Sequence, residues 1–407
     1  MATQFEADIT HAVDDEVVAG VAVLAVDKSG TRRYAKAFGT TSINGAKGER
    51  KPMKLDTTMW LASCSKVIAT AVACMQCVER GLLSLDDPVT KVLPELNARR
   101  VLLGYDNDGK PILRDATKAI TLRQLLTHSS GMAYPGLSPR MTKYLASIGE
   151  WPPAVGPGTK KSIVDDFAGL PLMYEPGDGW EYSPAIDWAG KMVERVNPES
   201  STLGEYMRNN IFEPLGMALT TFRPSRNPAV QERLVGPVFR DGEKLCSTPP
   251  PGFLWNDEAA VDDFGGAGLH SCAEDYIKIL TSLLLDDGKL LKSETVEELF
   301  RPQLPDSQYM QAAMDTPEKA AFLAPSFGPS VKWNHALGGA VAVDGVPGRA
   351  DAAMMYWAGM PNSYWWIDRA RGVCGVFADQ IFPPADPPTQ KLFAQFQRDI
   401  YKIVGDA

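Results

Sequence analysis

The stretch Trp60-Leu61-Ala62-Ser63-Cys64-Ser65-Lys66-Val67-Ile68-Ala69-Thr70-Ala71-Val72-Ala73 sets a serine hydroxyl three residues ahead of a lysine at the start of an apolar, helix-like run. That run reaches Glu79-Arg80-Gly81, where the glycine is a natural C-cap. On a helix, positions i and i+3 share a face, so Ser63 and Lys66 can touch without help from elsewhere. A serine is a poor nucleophile until a base takes its proton. A lysine is such a base where burial or a nearby cation depresses its pKa. Ser63 is the only serine in the chain followed by a lysine at the third position. The same letters also describe a solvated helix start with a capping serine, so the remainder of the chain decides.

The 407 residues suffice for a sizeable core, and the composition, 44% hydrophobic and 22% charged, is that of an ordinary globular protein. The net charge of -9 and the lack of any long Lys or Arg run disfavour nucleic acid and an anionic membrane surface as partners. The N-terminus is polar and acidic, unlike a signal or transit peptide, and no 18-residue apolar run suggests a membrane span. The default expectation is a cytoplasmic protein. Six cysteines in such a chain read as free thiols. Cys74-Met75-Gln76-Cys77 lies in the helical run without a second pair, and His11, His128, His270 and His335 are scattered, so neither a metal nor a cofactor is expected.

Strand character is concentrated at the two ends: Val17 to Val26 and Arg32 to Gly39 around a Lys28-Ser29-Gly30 turn, then Ala353 to Trp357, Tyr364 to Asp368 and Val373 to Ala378. Helices are expected over 4–15, 63–80, 121–131 (closed by the glycine turn), 185–197, 202–217, 273–286, 293–300 and 388–403. Residues 132–170 read as loop with a helix or two. The segment 224–262, poor in apolar residues, is expected on the surface or over a site. The economical solution is an α/β (α+β) fold. One antiparallel sheet joins the N- and C-terminal strands, flanked by the terminal helices, with a large, mainly helical region inserted. Residues 1–407 are read as a single unit, with a sheet subregion of about 1–58 and 330–407 and a helical subregion of about 59–329.

Acylation of Ser63 would require a second proton relay, a pair of backbone N–H groups for the oxyanion, and a pocket. The best relay candidate is Tyr182, in Pro176-Gly177-Asp178-Gly179-Trp180-Glu181-Tyr182-Ser183-Pro184, because a phenol beside a cationic lysine can shuttle a proton. A core tyrosine after a Pro-Gly turn is the plainer alternative. Tyr105-Asp106-Asn107 competes formally, but its Asp/Asn/Gly context reads as a surface turn.

An ordered series of segments resembles the serine β-lactamase/penicillin-binding-protein-like group, in its class C and esterase branch. The series is Ser63-x-x-Lys66, Gly81 to Val89, Leu93-Pro94-Glu95, Thr121 to Gly131, Pro176-Gly177 leading to Tyr182-Ser183, Phe212-x-Pro214-Leu215-Gly216-Met217, and Gly265-Gly266-Ala267-Gly268. Within the group, three stretches look most like fungal polyketide transesterases of the simvastatin/lovastatin acyltransferase type: Cys77 to Leu82, Asp187 to Arg195, and Gly359-Met360-Pro361-Asn362 with Trp366-Ile367-Asp368.

The resemblance implies Ser63 as nucleophile with Lys66 and Tyr182 as its proton-transfer partners. It sets the third motif, usually Lys-Thr-Gly on an edge strand, at Trp357-Ala358-Gly359, and joins the N–H of Met360 to that of Ser63 as oxyanion donors. Two departures stand out. Pro184 replaces the asparagine of Tyr-x-Asn, and Trp357 replaces the lysine that grips a β-lactam carboxylate. Both argue for a bulkier, more apolar substrate, with Trp357, Tyr364, Trp365 and Trp366 as candidate pocket walls, some of them ordinary core. His128 and His270 are expected to be structural. The implied activity is ping-pong acyl transfer from a thioester or ester to an alcohol of a secondary-metabolite-like acceptor. A carboxylesterase on the same residues and a non-catalytic binding protein of this fold remain the alternatives. The implied partners are a small-molecule acyl donor and acceptor, with an acyl carrier protein of a synthase as one route for the donor.

Overall fold

The computed structural model describes residues 3–152, 161–199, 202–247 and 257–405. Its centre is a seven-stranded sheet made of β1 (Gly20–Asp27), β2 (Arg32–Gly39), β3 (Trp333–Ala336), β4 (Gly339–Ala342), β5 (Met354–Gly359), β6 (Ser363–Asp368) and β7 (Val373–Ala378). The order is β2-β1-β7-β6-β5-β4-β3, and every neighbouring pair is antiparallel. The expected union of N- and C-terminal strands is therefore the β1–β7 ladder, with Leu24 opposite Val376. Gly30, at a φ of 76°, supplies the left-handed position of the β1–β2 turn.

Five helices frame this sheet and the inserted region: α1 (Gln4–Asp14), α2 (Ala71–Glu79), α3 (Ala185–Val196), α4 (Ala273–Leu285) and α5 (Pro387–Gly405). Helices α1 and α5 cover one face, where Phe5 lies 5.1 Å from Phe396 and both approach Phe377. Helix α4 packs against β1 and β7 on the other. With both faces covered, β1 is buried along its whole length, so it reads as a continuous apolar run rather than an alternating one. Helices α2 and α3 pack together as the heart of the inserted region.

Several elements differ from expectation. Strands β3 and β4 have no counterpart in the sequence reading, because Trp333-Asn334-His335-Ala336 and Gly339-Ala340-Val341-Ala342 are short and lack alternation. The Asp/Asn/Gly turn after Tyr105 is a turn as read, but it closes a hairpin of Arg100–Tyr105 and Pro111–Asp115. His270 opens a short strand, His270–Cys272, paired with Thr58–Trp60, and not a helix. The helix after Ser63 begins with a π turn over Lys66–Thr70. Segment 224–262 is less superficial than its composition suggests. Val230, Val235, Val238 and Phe239 are buried, and Val238–Asp241 pairs with Ile381–Phe382. Residues 248–256 of that segment, and 153–160 of the 132–170 loop, lie outside the described residues.

Candidate active site

Ser63 sits in a tight turn between a strand end and a helix. Leu61 N–H donates to Leu269 O (2.9 Å) and ends the Thr58–Trp60 strand. Ala62 then adopts a φ of 45°, a costly backbone for a residue with a Cβ. The amides of Cys64, Ser65 and Lys66 donate back to Leu61, Ala62 and Ser63. The Tyr276 hydroxyl donates to Cys64 O (2.8 Å), and Leu269 N–H donates to Ser65 Oγ (3.1 Å). The π turn follows at once, widening the helix where Lys66 projects. Such insertions recur at functional sites.

Around Ser63 Oγ the two expected side chains converge. Lys66 Nζ lies 3.2 Å from it and the Tyr182 hydroxyl 2.6 Å from it. All three residues are buried: Ser63 is 8% exposed, Lys66 1% and Tyr182 7%. A hydroxyl held between an amine and a phenol, away from bulk water, can lose its proton to one and regain it through the other. Tyr182 is delivered by the turn before α3, which is stitched to residues 128–134 by Glu181 N–H to His128 O (3.1 Å) and Gly177 N–H to Ser129 O (2.8 Å).

Lys66 also donates to Gly266 O, and its Nζ lies 5.2 Å from the centre of the Tyr134 ring and 5.1 Å from that of Tyr182. Asp187, on the first turn of α3, accepts from Gly266 N–H (2.7 Å) and from the Tyr134 hydroxyl (3.3 Å). Burial pushes the Asp187 carboxyl above its ordinary range, against the pull of the Lys66 charge and the Gly266 amide. A Cβ on Gly266 would lie 2.6 Å from a carboxylate oxygen of Asp187, so only glycine lets this contact form. Tyr134, Asp187 and Gly266 were not singled out from the sequence as site residues. Asp187 and Gly266 had one signal, membership of the matching Asp187 to Arg195 and Gly265-Gly266-Ala267-Gly268 stretches; Tyr134 lay in no matching stretch.

The other side of the serine faces β5. Of β5, only Met354–Tyr356 pairs with β4. The strand is interior to the sheet rather than at its edge, yet its Trp357–Gly359 end runs beyond its neighbour. A Cβ on Gly359 would lie 2.6 Å from Leu61 O, so the bare glycine lets β5 approach the serine turn. The N–H groups of Ser63 and Met360 take part in none of the described turn and cap hydrogen bonds.

Of the four aromatic residues expected to line a pocket, Trp357 alone reaches the site. Its ring is 5.6 Å from that of Tyr182, and the two line a narrow cleft with Phe322, Leu323, Ala358 and Gly359. Two of the other three are turned away by the sheet's period of two. Tyr364 and Trp366 point to the opposite face, onto Phe393 of α5 at 4.5 and 6.0 Å. Trp365 is cross-strand from Trp357 and shares its face, but it is fully buried.

His128 and His335 brace Trp357 from behind, at ring distances of 6.1 and 5.5 Å. His128 Nδ1 is 3.0 Å from Ser183 Oγ. Burial drives the pKa of His128 well below the usual imidazole range and brings those of His335 and His270 down to about 4. Neither His128 nor His270 hydrogen-bonds Ser63. Among the described residues no cluster of His, Cys, Asp or Glu has the arrangement of a metal site.

A seven-stranded antiparallel sheet with terminal helices on one face, and a buried Ser-Lys-Tyr cluster where the inserted helices meet it, defines the class of serine enzymes related to β-lactamases. Residues 5–397 match the Beta-lactamase family, and the chain belongs to that family. Lovastatin esterase of Penicillium rubens is 36% identical, covering 99% of this chain and 98% of that protein. Monacolin J acid methylbutanoyltransferase of Aspergillus terreus is 33% identical, covering 97% of this chain and 94% of that one. Unliganded simvastatin synthase of Aspergillus terreus superposes with a TM-score of 0.85 at 31% identity, over 98% of this chain and 97% of that one. The chain is an enzyme of this acyltransferase and esterase branch.

Proposed function

We propose that the protein is an acyl-serine transferase that moves an acyl group from a thioester or ester to an alcohol of a polyketide-like acceptor. The observation that carries this is the placing of one serine oxygen within hydrogen-bond distance of both Lys66 Nζ and the Tyr182 hydroxyl. In the first half-reaction Ser63 Oγ attacks the acyl carbonyl and its proton passes to Lys66. The new Oγ–acyl bond forms, the bond to the leaving group breaks, and Tyr182 delivers a proton to that group. In the second half the acceptor oxygen attacks the acyl carbonyl and gives its proton to the Tyr182 phenolate, the Oγ–acyl bond breaks, and Lys66 returns its proton to Ser63 Oγ. The carbonyl oxygen, negative in each tetrahedral intermediate, is received by the N–H groups of Ser63 and Met360. No cofactor is needed.

The replacement of the family's lysine by Trp357 supports an acyl group without a carboxylate, held against an aromatic wall. An alcohol rather than water as acceptor is supported by the likeness to the methylbutanoyltransferase. Ester hydrolysis is the second reading, favoured by the likeness to lovastatin esterase. The whole of 1–407 is assigned to one catalytic unit, because the inserted region supplies Ser63, Lys66 and Tyr182 while the sheet supplies Trp357, Gly359 and Met360. The donor is assigned to a small thioester or one borne on an acyl carrier protein. The cytoplasm is the proposed compartment, supported by six free cysteines; no helix among the described residues is long and apolar enough to cross a membrane.

The test is product analysis with a methylbutanoyl thioester, with monacolin J acid as acceptor, and separately with lovastatin alone. Ester formation exceeding thioester hydrolysis is expected. Hydrolysis that no alcohol acceptor reduces would overturn transfer in favour of the esterase.

A further inference from the structure

Met360 lies at the tip of the β5–β6 hairpin, two residues before Asn362. Asn362 is 1% exposed and holds a φ of 58°, a left-handed conformation that asparagine tolerates better than most residues. A buried primary amide has two donor hydrogens and two acceptor lone pairs to satisfy, and here all four are met. Nδ2 donates to Ile381 O (2.8 Å) and Pro383 O (2.9 Å). Oδ1 accepts from the Tyr364 hydroxyl (2.9 Å) and Asp386 N–H (3.0 Å). Ser363 continues the stitching, with Oγ donating to Asp379 O (2.8 Å) and accepting from Asp379 N–H (3.1 Å).

The segment that receives these bonds, 379–386, also grips the serine turn. Gln380 Nε2 donates to Trp60 O (3.0 Å), three residues before Ser63. Phe382 stacks on Trp60 at 6.2 Å and 21°. Asp386 anchors the segment through an ion pair with Arg240 and a hydrogen bond from Thr389 Oγ1 (2.7 Å). One segment thus holds both turns that carry the proposed oxyanion N–H groups.

The geometry points to Asn362 as a positioning residue that fixes the Met360 N–H relative to that of Ser63, with Gln380 doing the same from the other turn and residues 379–386 as their common brace. This inference rests on the reading of those two N–H groups as the oxyanion donors. It also gives the Tyr364 hydroxyl a role away from the substrate, as a donor to the Asn362 amide.

The test uses the whole enzyme, a p-nitrophenyl ester as donor, and a short alkylboronic acid as a tetrahedral mimic. Ser63 Oγ adds to trigonal boron, its proton passing to Lys66, and no bond to boron breaks. The boronate oxygen then occupies the oxyanion position. Asn362→Gly keeps the left-handed backbone and removes the amide. Tyr364→Phe keeps the ring and removes one hydrogen bond, which covers the case in which Asn362→Gly fails to fold. Asn362→Gly is expected to lower kcat/KM and boronic acid affinity together, by roughly ten- to a hundred-fold, with KM within about two-fold. Tyr364→Phe is expected to do the same by about three-fold. Variants that lower the melting temperature but leave boronic acid affinity unchanged would overturn the positioning role. Boronic acid binding equally to wild type and Ser63→Ala would overturn the Ser63 reading itself, a separate outcome.

Discussion

The serine hydroxyl has two neighbours able to move its proton, and they differ in what their loss should do. Lys66 has no carboxylate within ion-pair distance among the described residues; it is held by Gly266 O and two aromatic faces. Lys66→Ala removes the amine from Ser63 and should slow acylation by about 10²- to 10⁴-fold. Tyr182→Phe keeps the ring contacts with His128 and Trp357 and removes only the hydroxyl, so its loss of rate should come with an almost unchanged melting temperature. Stopped-flow release of p-nitrophenol measures both, and a near-wild-type rate in either variant removes that residue from the proton route. These three residues were legible in the sequence because Ser63 and Lys66 are neighbours in the chain and Tyr182 follows a recognisable turn. Asp187, Tyr134 and Gly266 were not. Their meeting is created by the packing of α3 against the 265–268 segment, and no local spacing encodes it.

At the scale of elements, the approach of β5 to the serine turn depends on the absence of a side chain at Gly359. Gly359→Ala drives a methyl against Leu61 O, a backbone atom that cannot swing aside. The strand must shift, and misplacement by about 1 Å costs on the order of a hundred-fold in rate, with a further destabilisation of about 1–3 kcal/mol from overpacking. Urea unfolding and steady-state rates separate the two effects. Trp357 makes a second prediction. Restoring the family's lysine with Trp357→Lys buries an ammonium between two neutral histidines, whose own partners among the described residues are Ser183 Oγ and Ala336 O and not carboxylates. The variant should lose several kcal/mol of stability and gain no turnover of a chromogenic β-lactam; stable folding with new β-lactam hydrolysis would show that Trp357 is merely a replaceable wall. The alternation of β6 is also why the sequence over-assigned aromatic walls. Tyr364-Trp365-Trp366 reads as one cluster in the chain, yet consecutive strand residues point to opposite faces. The π turn at Lys66–Thr70 left no mark in the sequence, since Lys-Val-Ile-Ala-Thr carries no spacing that separates a π turn from an α turn.

For the whole molecule, the buried histidines couple stability to pH. An imidazole whose folded pKa lies below its unfolded value of about 6.5 takes up its proton in the unfolded chain first. Stability is therefore intact above about pH 6.5 and declines as pH falls toward 4, by about 1.4 kcal/mol per pH unit for each histidine still neutral in the fold. His335 has a folded value of about 4, and its Nδ1 lies 2.6 Å from Ala336 O. His335→Asn keeps a donor near that position and removes the titration. Its unfolding free energy should depend less steeply on pH than that of the wild type between pH 6.5 and 4; identical slopes would refute a buried neutral His335. The broad plan of the molecule was readable because strands at both chain ends, with helices between them, leave few sheets to build. The edge strand β3 and its neighbour β4 were not, since four residues without alternation carry no signal until β5 offers β4 a partner and β4 offers one to β3.

Every step of the proposed transfer passes through an acyl group on Ser63. Intact mass after brief incubation with an acyl thioester reads that intermediate. The wild type is expected to gain the mass of one acyl group and to lose it when an alcohol acceptor is added, and Ser63→Ala to gain none. A wild type that gains no mass while turning over, or a Ser63→Ala variant that gains the same mass, would contradict this route.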